Sequence, residues 1–344
     1  MNFFPLLYEL PPIKYLRAES VESAVHWLDQ FDGRARILAG GTDLLGLMKD
    51  NVTGSKMPMP ELLIDIKRIP GIRDIGYDAE GVLRIGAAAT LHDLESSPLV
   101  TGKYSLLAQA ASEVATHQIK NMGTIGGNLC QRPWCWYFRV PHFDCFKKGG
   151  KQCYAITGNN KFYFSILGLG ICVMAHPSDT APALIALDAS VRIAGPSGLR
   201  ILPVAEFFNG PRETFETILD SNEMLVEVLL PREQPKNSVG VYLKERLRET
   251  WDFALASVAI QANRSATNRA FEQVRIVLGG VAPFPYRVPK AEELLIGKIV
   301  TTSLLEEVAE VAVQGARPLS MNAYKIPLLK ALVKRALQRC AESG

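Results

Sequence analysis

The chain has 344 residues, of which 48% are hydrophobic and 21% charged, and its formal net charge at pH 7 is +3. This is the composition of a globular protein with room for two or three domains, and so small a net charge gives no indication of nucleic-acid binding. The N-terminus lacks the basic start and apolar run of a secretory signal, and the most apolar stretch, residues 162–175, is too short to span a bilayer. We therefore expect no membrane insertion and a cytoplasmic location, or a periplasmic one if a partner chain carries the export signal.

The first 66 residues predict a small unit in which helices and strands alternate. Ser20 can cap a helix that ends near Gly33. A short strand at 34–39 leads into a glycine turn and a helix at 42–50, and another strand follows at 62–66. Two strands joined by a helix in this way form a βαβ-like unit.

The remaining residues divide into a second mixed region and a C-terminal region. The second region is predicted to contain strands at 82–87 and 190–194, helices at 90–96, 105–115 and 180–187, and an inserted cysteine-rich stretch at about 130–172. The C-terminal region is predicted to contain strands at 224–230, 239–244, 253–261 and 274–278 and helices at 291–295, 302–313 and 327–340. Strands followed by helices are typical of an α+β domain. We predict domains at 1–220 and 221–344, the first divided into subdomains at about 1–66 and 67–220.

Two glycine-rich turns predict an anion site. The first is Ala39-Gly40-Gly41-Thr42-Asp43 at a strand-to-helix junction, and the second is Thr124-Ile125-Gly126-Gly127-Asn128. Successive backbone N–H groups can replace the water around a diphosphate where no Cβ prevents close approach. Neither turn has the spacing of a Rossmann or P-loop motif. Each alone could be a plain tight turn, but the pair favours ligand binding.

Five of the six cysteines, Cys130, Cys135, Cys145, Cys153 and Cys172, lie within about forty residues. A reducing compartment argues against structural disulfides. The spacing matches neither the paired CxxC of zinc ribbons nor the CxxCxxC of bacterial ferredoxins. An insertion that folds around an iron–sulfur cluster is the favoured interpretation, and reduced buried thiols or a zinc site are the alternatives. The nearby lysines either offset the charge of such a cluster or form a solvated loop; they are Lys147, Lys148, Lys151 and Lys161.

Three motifs together resemble a known family. They are Ala39-Gly40-Gly41-Thr42-Asp43-Leu44-Leu45, Asn121-Met122-Gly123-Thr124-Ile125-Gly126-Gly127-Asn128-Leu129, and the segment from His176 to Ala189. The whole chain resembles the FAD-binding subunits of the molybdenum hydroxylases, which include xanthine dehydrogenase, aldehyde oxidoreductase, carbon monoxide dehydrogenase and 4-hydroxybenzoyl-CoA reductase. The resemblance implies an α+β protein with a two-subdomain, PCMH-like FAD-binding domain and a C-terminal antiparallel sheet with helices.

The resemblance also implies which residues bind FAD. Residues 39–43 and 124–128 would hold the pyrophosphate and ribityl groups, and Asp179 would accept hydrogen bonds from the cofactor's hydroxyls. Lys244 would lie near the flavin ring, where a cation favours the anionic reduced flavin. The alternatives are a helix N-cap for Asp179 and a solvated strand residue for Lys244. The full predicted set is Ala39, Gly40, Gly41, Thr42, Asp43, Leu44, His117, Asn121, Thr124, Gly126, Gly127, Asn128, Asp179, Leu225 and Lys244.

Within the family, the chain most resembles the branch whose flavin subunits carry a [4Fe-4S] cluster. This resemblance implies that the ligands are Cys135, Cys145, Cys153 and Cys172, and it leaves Cys130 out. It also implies two partner chains, a large subunit with the molybdenum cofactor and a small subunit with [2Fe-2S] clusters. Electrons would pass by way of FAD to an external acceptor, or inward in the hydroxybenzoyl-CoA reductase branch.

No catalytic residue is expected on this chain, because substrate chemistry in this family takes place on the large partner. The sequence also contains no Ser-His-Asp set or HExxH motif, so nothing indicates hydrolysis. Two other interpretations stay open. One is a zinc-stabilised nucleotide-binding module without redox turnover, and the other is a standalone flavin oxidoreductase of the vanillyl-alcohol oxidase type.

Overall fold

The computed structural model describes residues 10–232, 234, 237–265 and 270–342. The N-terminal residues 1–9, where the sequence shows no secretory signal, lie outside this part of the chain. Across the described residues, no helix is both long and apolar enough to cross a bilayer.

The first unit is a three-stranded parallel sheet with two helices. Its elements are β1 Lys14–Arg17, α1 Val21–Gln30, β2 Ala35–Leu38, α2 Leu44–Lys49 and β3 Leu62–Asp65. The central strand is β3, which pairs in parallel with β1 and β2 and is buried along its whole length. The predicted cap of α1 is confirmed, because the Ser20 hydroxyl accepts a hydrogen bond from the Ser23 N–H. The sequence analysis missed β1, whose four residues are all exposed.

The second unit is a five-stranded antiparallel sheet with short helices. Its strands are β4 Ile75–Tyr77, β5 Leu83–Gly86, β6 Ser190–Gly195, β7 Gly198–Pro203 and β8 Met224–Leu230. Its helices are α3 Leu91–Ser96, α4 Pro98–Lys103, α5 Ser105–Ser112, α6 His117–Lys120, α7 Ile125–Cys130, α8 Trp136–Arg139, α9 Thr180–Ala186 and α10 Val204–Phe207, with a 3₁₀ helix at Phe146–Lys148. The strand order is β4-β5-β8-β6-β7, with every neighbouring pair antiparallel.

Strand β8 lies in a different sheet from the one that the sequence predicted. Residues 224–230 were assigned to the C-terminal region, but Val228 pairs with both Ile85 and Val191 at the centre of the five-stranded sheet. Six of the seven residues of β8 are buried, as expected for a strand that is covered on both faces. The predicted boundary at 220 therefore moves to the segment after Leu230.

The C-terminal unit is a four-stranded antiparallel sheet covered by helices. Its elements are β9 Ser238–Glu245, β10 Ala256–Arg264, β11 Phe271–Gly279, β12 Tyr286–Arg287, α11 Pro289–Glu293, α12 Thr302–Ala312 and α13 Lys325–Glu342. The strand order is β12-β11-β10-β9, and α13 packs on β9 and β10. Cys340 is fully buried in this core, as a packing residue. The predicted α+β class with a C-terminal antiparallel sheet is confirmed.

The first two units meet at the first glycine turn. The backbone of Gly40 lies so close to the 122–123 segment that a Cβ there would be 2.0 Å from the Met122 carbonyl oxygen and 3.0 Å from the Gly123 Cα. Only glycine allows this approach, since the backbone of a neighbouring segment cannot move aside as a flexible side chain can. The contact brings the two glycine motifs together in space.

Gly40→Ala is expected to destabilise the protein by about 1–3 kcal/mol, because the added methyl group must push two backbone segments apart. Gly46→Ala is the matched control: Gly46 lies in α2, and a Cβ there would have no heavy atom within 4 Å. That change should stabilise the helix by about 0.5–1 kcal/mol. Urea unfolding of both variants measures the difference, and equal effects would contradict the close approach.

Candidate cofactor sites

The first glycine turn leaves a run of backbone donors free. The first hydrogen bond of the helical turn that follows is donated by the Leu45 N–H to the Gly41 carbonyl. Among the described residues, no acceptor receives a hydrogen bond from the N–H groups of residues 40–44. Gly41 has a φ of +73°, a conformation that favours glycine. Free N–H groups at a strand-to-helix junction are the backbone arrangement that binds phosphate oxygens.

The second glycine motif differs from the first, and the expectation that both present N–H groups in the same way is wrong. Thr124–Asn128 forms the start of α7, with the Thr124 hydroxyl accepting from the Gly127 N–H. The Gly126 N–H donates to the Ala87 carbonyl at 2.9 Å, and a Cβ on Gly126 would lie 2.8 Å from that same oxygen. Gly126 therefore serves packing within the fold, because its N–H is already used.

The third motif is tied to the second through Asn128. The buried Asn128 Oδ1 accepts hydrogen bonds from the Ser178 and Thr180 hydroxyls, both at 2.6 Å. Because the 122–123 segment also lies against Gly40, all three sequence motifs converge on one region.

His117 and Asn121 are exposed at the two ends of α6, just before the second motif. The His117 ring packs edge-to-face on His92, with 5.1 Å between the ring centroids. The His92 Nδ1 is 3.1 Å from Glu95 Oε1, and these three side chains place possible ligand atoms within 4.8 Å of one another. The other Glu95 oxygen is paired with Lys120, which balances the carboxylate without a metal. Cofactor contacts by His117 and Asn121 stay predictions.

Asp179 and Lys244 form one buried ion pair. The Asp179 Oδ2 is 2.7 Å from the Lys244 Nζ, and the two side chains are 5% and 0% exposed. The Tyr242 hydroxyl donates to Asp179 Oδ1 at 2.7 Å, and burial raises the pKa of Tyr242 well above its usual value. Asp179 occupies the N-cap position of α9 but makes no side-chain cap, and the Lys244 side chain is not solvated. Contacts of the two residues with the cofactor stay predictions. Sequence analysis missed Tyr242, although residues two apart on a strand share a face.

Leu225 lies in β8 and is 5% exposed within the main hydrophobic core. Its pairing partner is Ile193 of β6. A contact between Leu225 and the cofactor stays a prediction.

Four of the five clustered cysteines line one small cavity. The cysteines around it are Cys135, Cys145, Cys153 and Cys172. These are the four residues that the sequence analysis selected, whereas Cys130 lies at the end of α7 and packs against the main core. All six cysteines of the chain are free thiols.

The thiols of the cavity have strongly perturbed acidities. Burial raises the pKa of Cys135 to about 12 and also raises that of Cys145. A shared hydrogen bond raises the pKa of Cys172 and lowers that of Cys153. Cysteine binds metals as the thiolate, so four thiols around one cavity are chemically suited to a metal centre.

The aromatic and basic residues near the cysteines each include buried and exposed members. Phe138 is 1% exposed and lines the cavity with Tyr137, whereas Trp134 and Trp136 are each 37% exposed. Lys147 and Lys148 are buried, whereas Lys151 and Lys161 are exposed.

Lys148 lacks an anionic partner. Its Nζ donates to the carbonyls of Val140 and Pro141 at 2.8 and 3.3 Å, and no carboxylate among the described residues forms an ion pair with it. Lys147, in contrast, is paired with Glu216 at 3.1 Å. Burial lowers the pKa of Lys148, whereas the neighbouring Cys145 raises it. Asp144 also raises the pKa of Lys148, and thiolates at the neighbouring cysteines would add to the negative charge near this cation.

The Asp43 side chain does not cap α2. Its Oδ2 accepts from the Arg132 N–H at 2.8 Å, and its Oδ1 accepts from the Arg139 Nη2 at 2.5 Å. Sequence analysis missed both arginines, which flank Cys135 in the chain. Asp43 therefore joins the first glycine turn to the cysteine insertion.

Comparison with known proteins agrees with this architecture. Residues 11–233 match the FAD binding domain in molybdopterin dehydrogenase, and residues 242–340 match the CO dehydrogenase flavoprotein C-terminal domain. The gap between the two matches falls after β8, where the structure places the boundary.

Relatives of known function match over most of their length. The carbon monoxide dehydrogenase medium chain of Hydrogenophaga pseudoflava is 32% identical over 340 residues, covering 96% of this chain and 99% of that protein. The aldehyde oxidoreductase FAD-binding subunit PaoB of Escherichia coli is 34% identical, covering 86% and 88%. The solved structure of carbon monoxide dehydrogenase from Hydrogenophaga pseudoflava matches with a TM-score of 0.74 at 30% identity, covering 96% and 98%. This chain belongs to the family of FAD-binding oxidoreductase subunits of the molybdopterin dehydrogenases.

Proposed function

We propose that this chain is an electron-transfer subunit of a molybdenum hydroxylase complex and that it holds both FAD and a [4Fe-4S] cluster. The observation that carries the cluster is the set of four cysteines around one cavity. A cluster of this type is held by four cysteine thiolates. It supplies one-electron transfer when bound, and FAD supplies exchange of one or two electrons.

The first glycine turn would hold the FAD pyrophosphate. The free N–H groups of residues 40–44 can replace its water shell without a charged side chain. Residues 122–123, which precede α7, would support the cofactor through their packing against the first turn. The N–H groups of α7 itself are largely used within the fold.

The pair of Asp179 and Lys244 would act as one unit in the FAD site. Both Asp179 oxygens already accept a hydrogen bond, so a cofactor hydroxyl would use a remaining lone pair. Lys244 also donates to the Glu113 carbonyl, which fixes its ammonium group in one position. A fixed, buried cation near the flavin ring would favour the anionic reduced flavin.

The proposed partners are a large subunit with the molybdenum cofactor and a small subunit with [2Fe-2S] clusters. The relatives are named as a medium chain and as a FAD-binding subunit, which indicates enzymes of several chains. Substrate oxidation would take place on the large partner, and electrons would be exchanged between the small partner and an external acceptor. The substrate would then be of the carbon monoxide, aldehyde or xanthine class, as in the relatives.

Metal and flavin analysis of the chain, co-purified with its partners, tests the proposal. We expect about four iron atoms per FAD on this chain. Cys153→Ser should remove the iron, because Cys153 lines the cavity. Cys153 is the residue to replace because it is the least buried of the four proposed ligands. Cys130→Ser is the matched control and should leave the iron in place, because Cys130 does not line the cavity.

Zinc in place of iron would refute the cluster and favour the zinc-stabilised alternative. Equal loss of iron in both serine variants would contradict the assignment of the four ligands. Oxidation of a reduced substrate by this chain alone would instead favour a standalone flavin oxidoreductase.

Lys148→Gln is expected to lower the reduction potential of the cluster by tens of millivolts, because a buried positive charge stabilises the more negative reduced form. Lys151→Gln is the control, since Lys151 carries the same charge in the same loop but is exposed and screened by water. A redox titration of both variants measures the shifts. Equal shifts would show that Lys148 is no more than part of a solvated basic loop.

A further inference from the structure

Asp43 is the point at which the two proposed cofactor sites touch. It belongs to the first glycine turn, yet both of its side-chain hydrogen bonds go to the cysteine insertion. The pair of Asp43 and Arg139 is largely shielded, with side-chain exposures of 26% and 13%. A shielded carboxylate–guanidinium pair holds its geometry more firmly than an exposed one.

Arg139 in turn is fixed to a proposed cluster ligand. The Arg139 N–H donates to the Cys135 carbonyl at 2.9 Å, because α8 begins directly after Cys135. The Arg139 guanidinium also donates to the Pro133 carbonyl and stacks over Trp134, with 4.8 Å to the ring centroid. Two contacts therefore connect the glycine turn to the backbone of Cys135.

Helix α2 provides a second connection between the same two sites. It starts from the glycine turn, and its Leu47 is buried in one hydrophobic cluster with Cys135, Cys145 and Phe138. A change in the order of the insertion therefore acts on the helix that continues from the turn.

We propose that Asp43 is a positioning residue that makes FAD binding and cluster assembly cooperative, an inference that rests on the proposed function. A bound cluster would hold the insertion around Cys135 in one conformation. Through the contact of Asp43 with Arg139, it would also hold the free N–H groups of residues 40–44 in place. Each oxygen of Asp43 already accepts a hydrogen bond from the insertion, so only its remaining lone pairs could accept one from FAD. The coupling is reciprocal, so bound FAD also favours retention of the cluster.

The test compares FAD dissociation constants of the full chain with its cluster and after removal of iron by a chelator. In the unaltered protein, removal of iron should weaken FAD binding about tenfold. In Asp43→Asn the ratio of the two dissociation constants should fall well below tenfold, because only the connection through α2 remains. Asp50→Asn is the matched control, because Asp50 is an exposed aspartate at the other end of α2, and it should keep the tenfold ratio.

Arg139→Gln removes the other partner of the same ion pair, so it should give the same ratio of FAD dissociation constants as Asp43→Asn. It keeps the test valid if Asp43→Asn folds poorly. The double variant should lose no more coupling than either single variant. If Asp43→Asn weakens FAD binding equally in both forms, Asp43 only stabilises the turn and the inference is overturned. Iron analysis of the unaltered protein separates this result from failure of the proposed function, which would appear as a chain that never holds iron.

Discussion

The close approach of Gly40 to the Met122 carbonyl is the contact on which the cofactor architecture depends. It fixes the first unit against the second with no side chain between them. The N–H groups of residues 40–44 have no hydrogen-bond partner in the part of the chain that the structure describes, and Asp43 lies within reach of the cysteine insertion. Two sites that lie about ninety residues apart in the sequence thus share one short turn.

The sequence predicted most helices because their apolar residues repeat with helical period, as in α12 and α13. It missed β1 and β7 because both lie at sheet edges and are almost wholly exposed, so no alternation of burial marks them. It recognised β8 as a strand but placed it in the wrong sheet. The partners of β8 are more than thirty residues away in the chain, and pairing between distant strands leaves no local signal.

The sequence indicated those parts of the candidate site whose chemistry follows from residue type. It did not indicate the contacts that depend on how distant segments are placed. The four cysteines that the family resemblance implied line one cavity, and their role as cluster ligands stays a prediction. The contact of Asp43 with Arg139 was not predicted, because it spans 96 residues and cannot be seen locally. The glycines of the second motif looked like amide donors, but Gly126 is needed for packing against Ala87. Local chemistry was therefore predictable, and the pairing of distant groups was not.

An anomalous difference map recorded at the iron absorption edge, from crystals of the purified complex, tests the central claim most directly. The account predicts one compact iron peak enclosed by Cys135, Cys145, Cys153 and Cys172, with the FAD pyrophosphate against the N–H groups of residues 40–44. A cavity without iron, a zinc signal or a disulfide between two of these cysteines would contradict the cluster. FAD bound away from the first glycine turn would contradict the assignment of the flavin site.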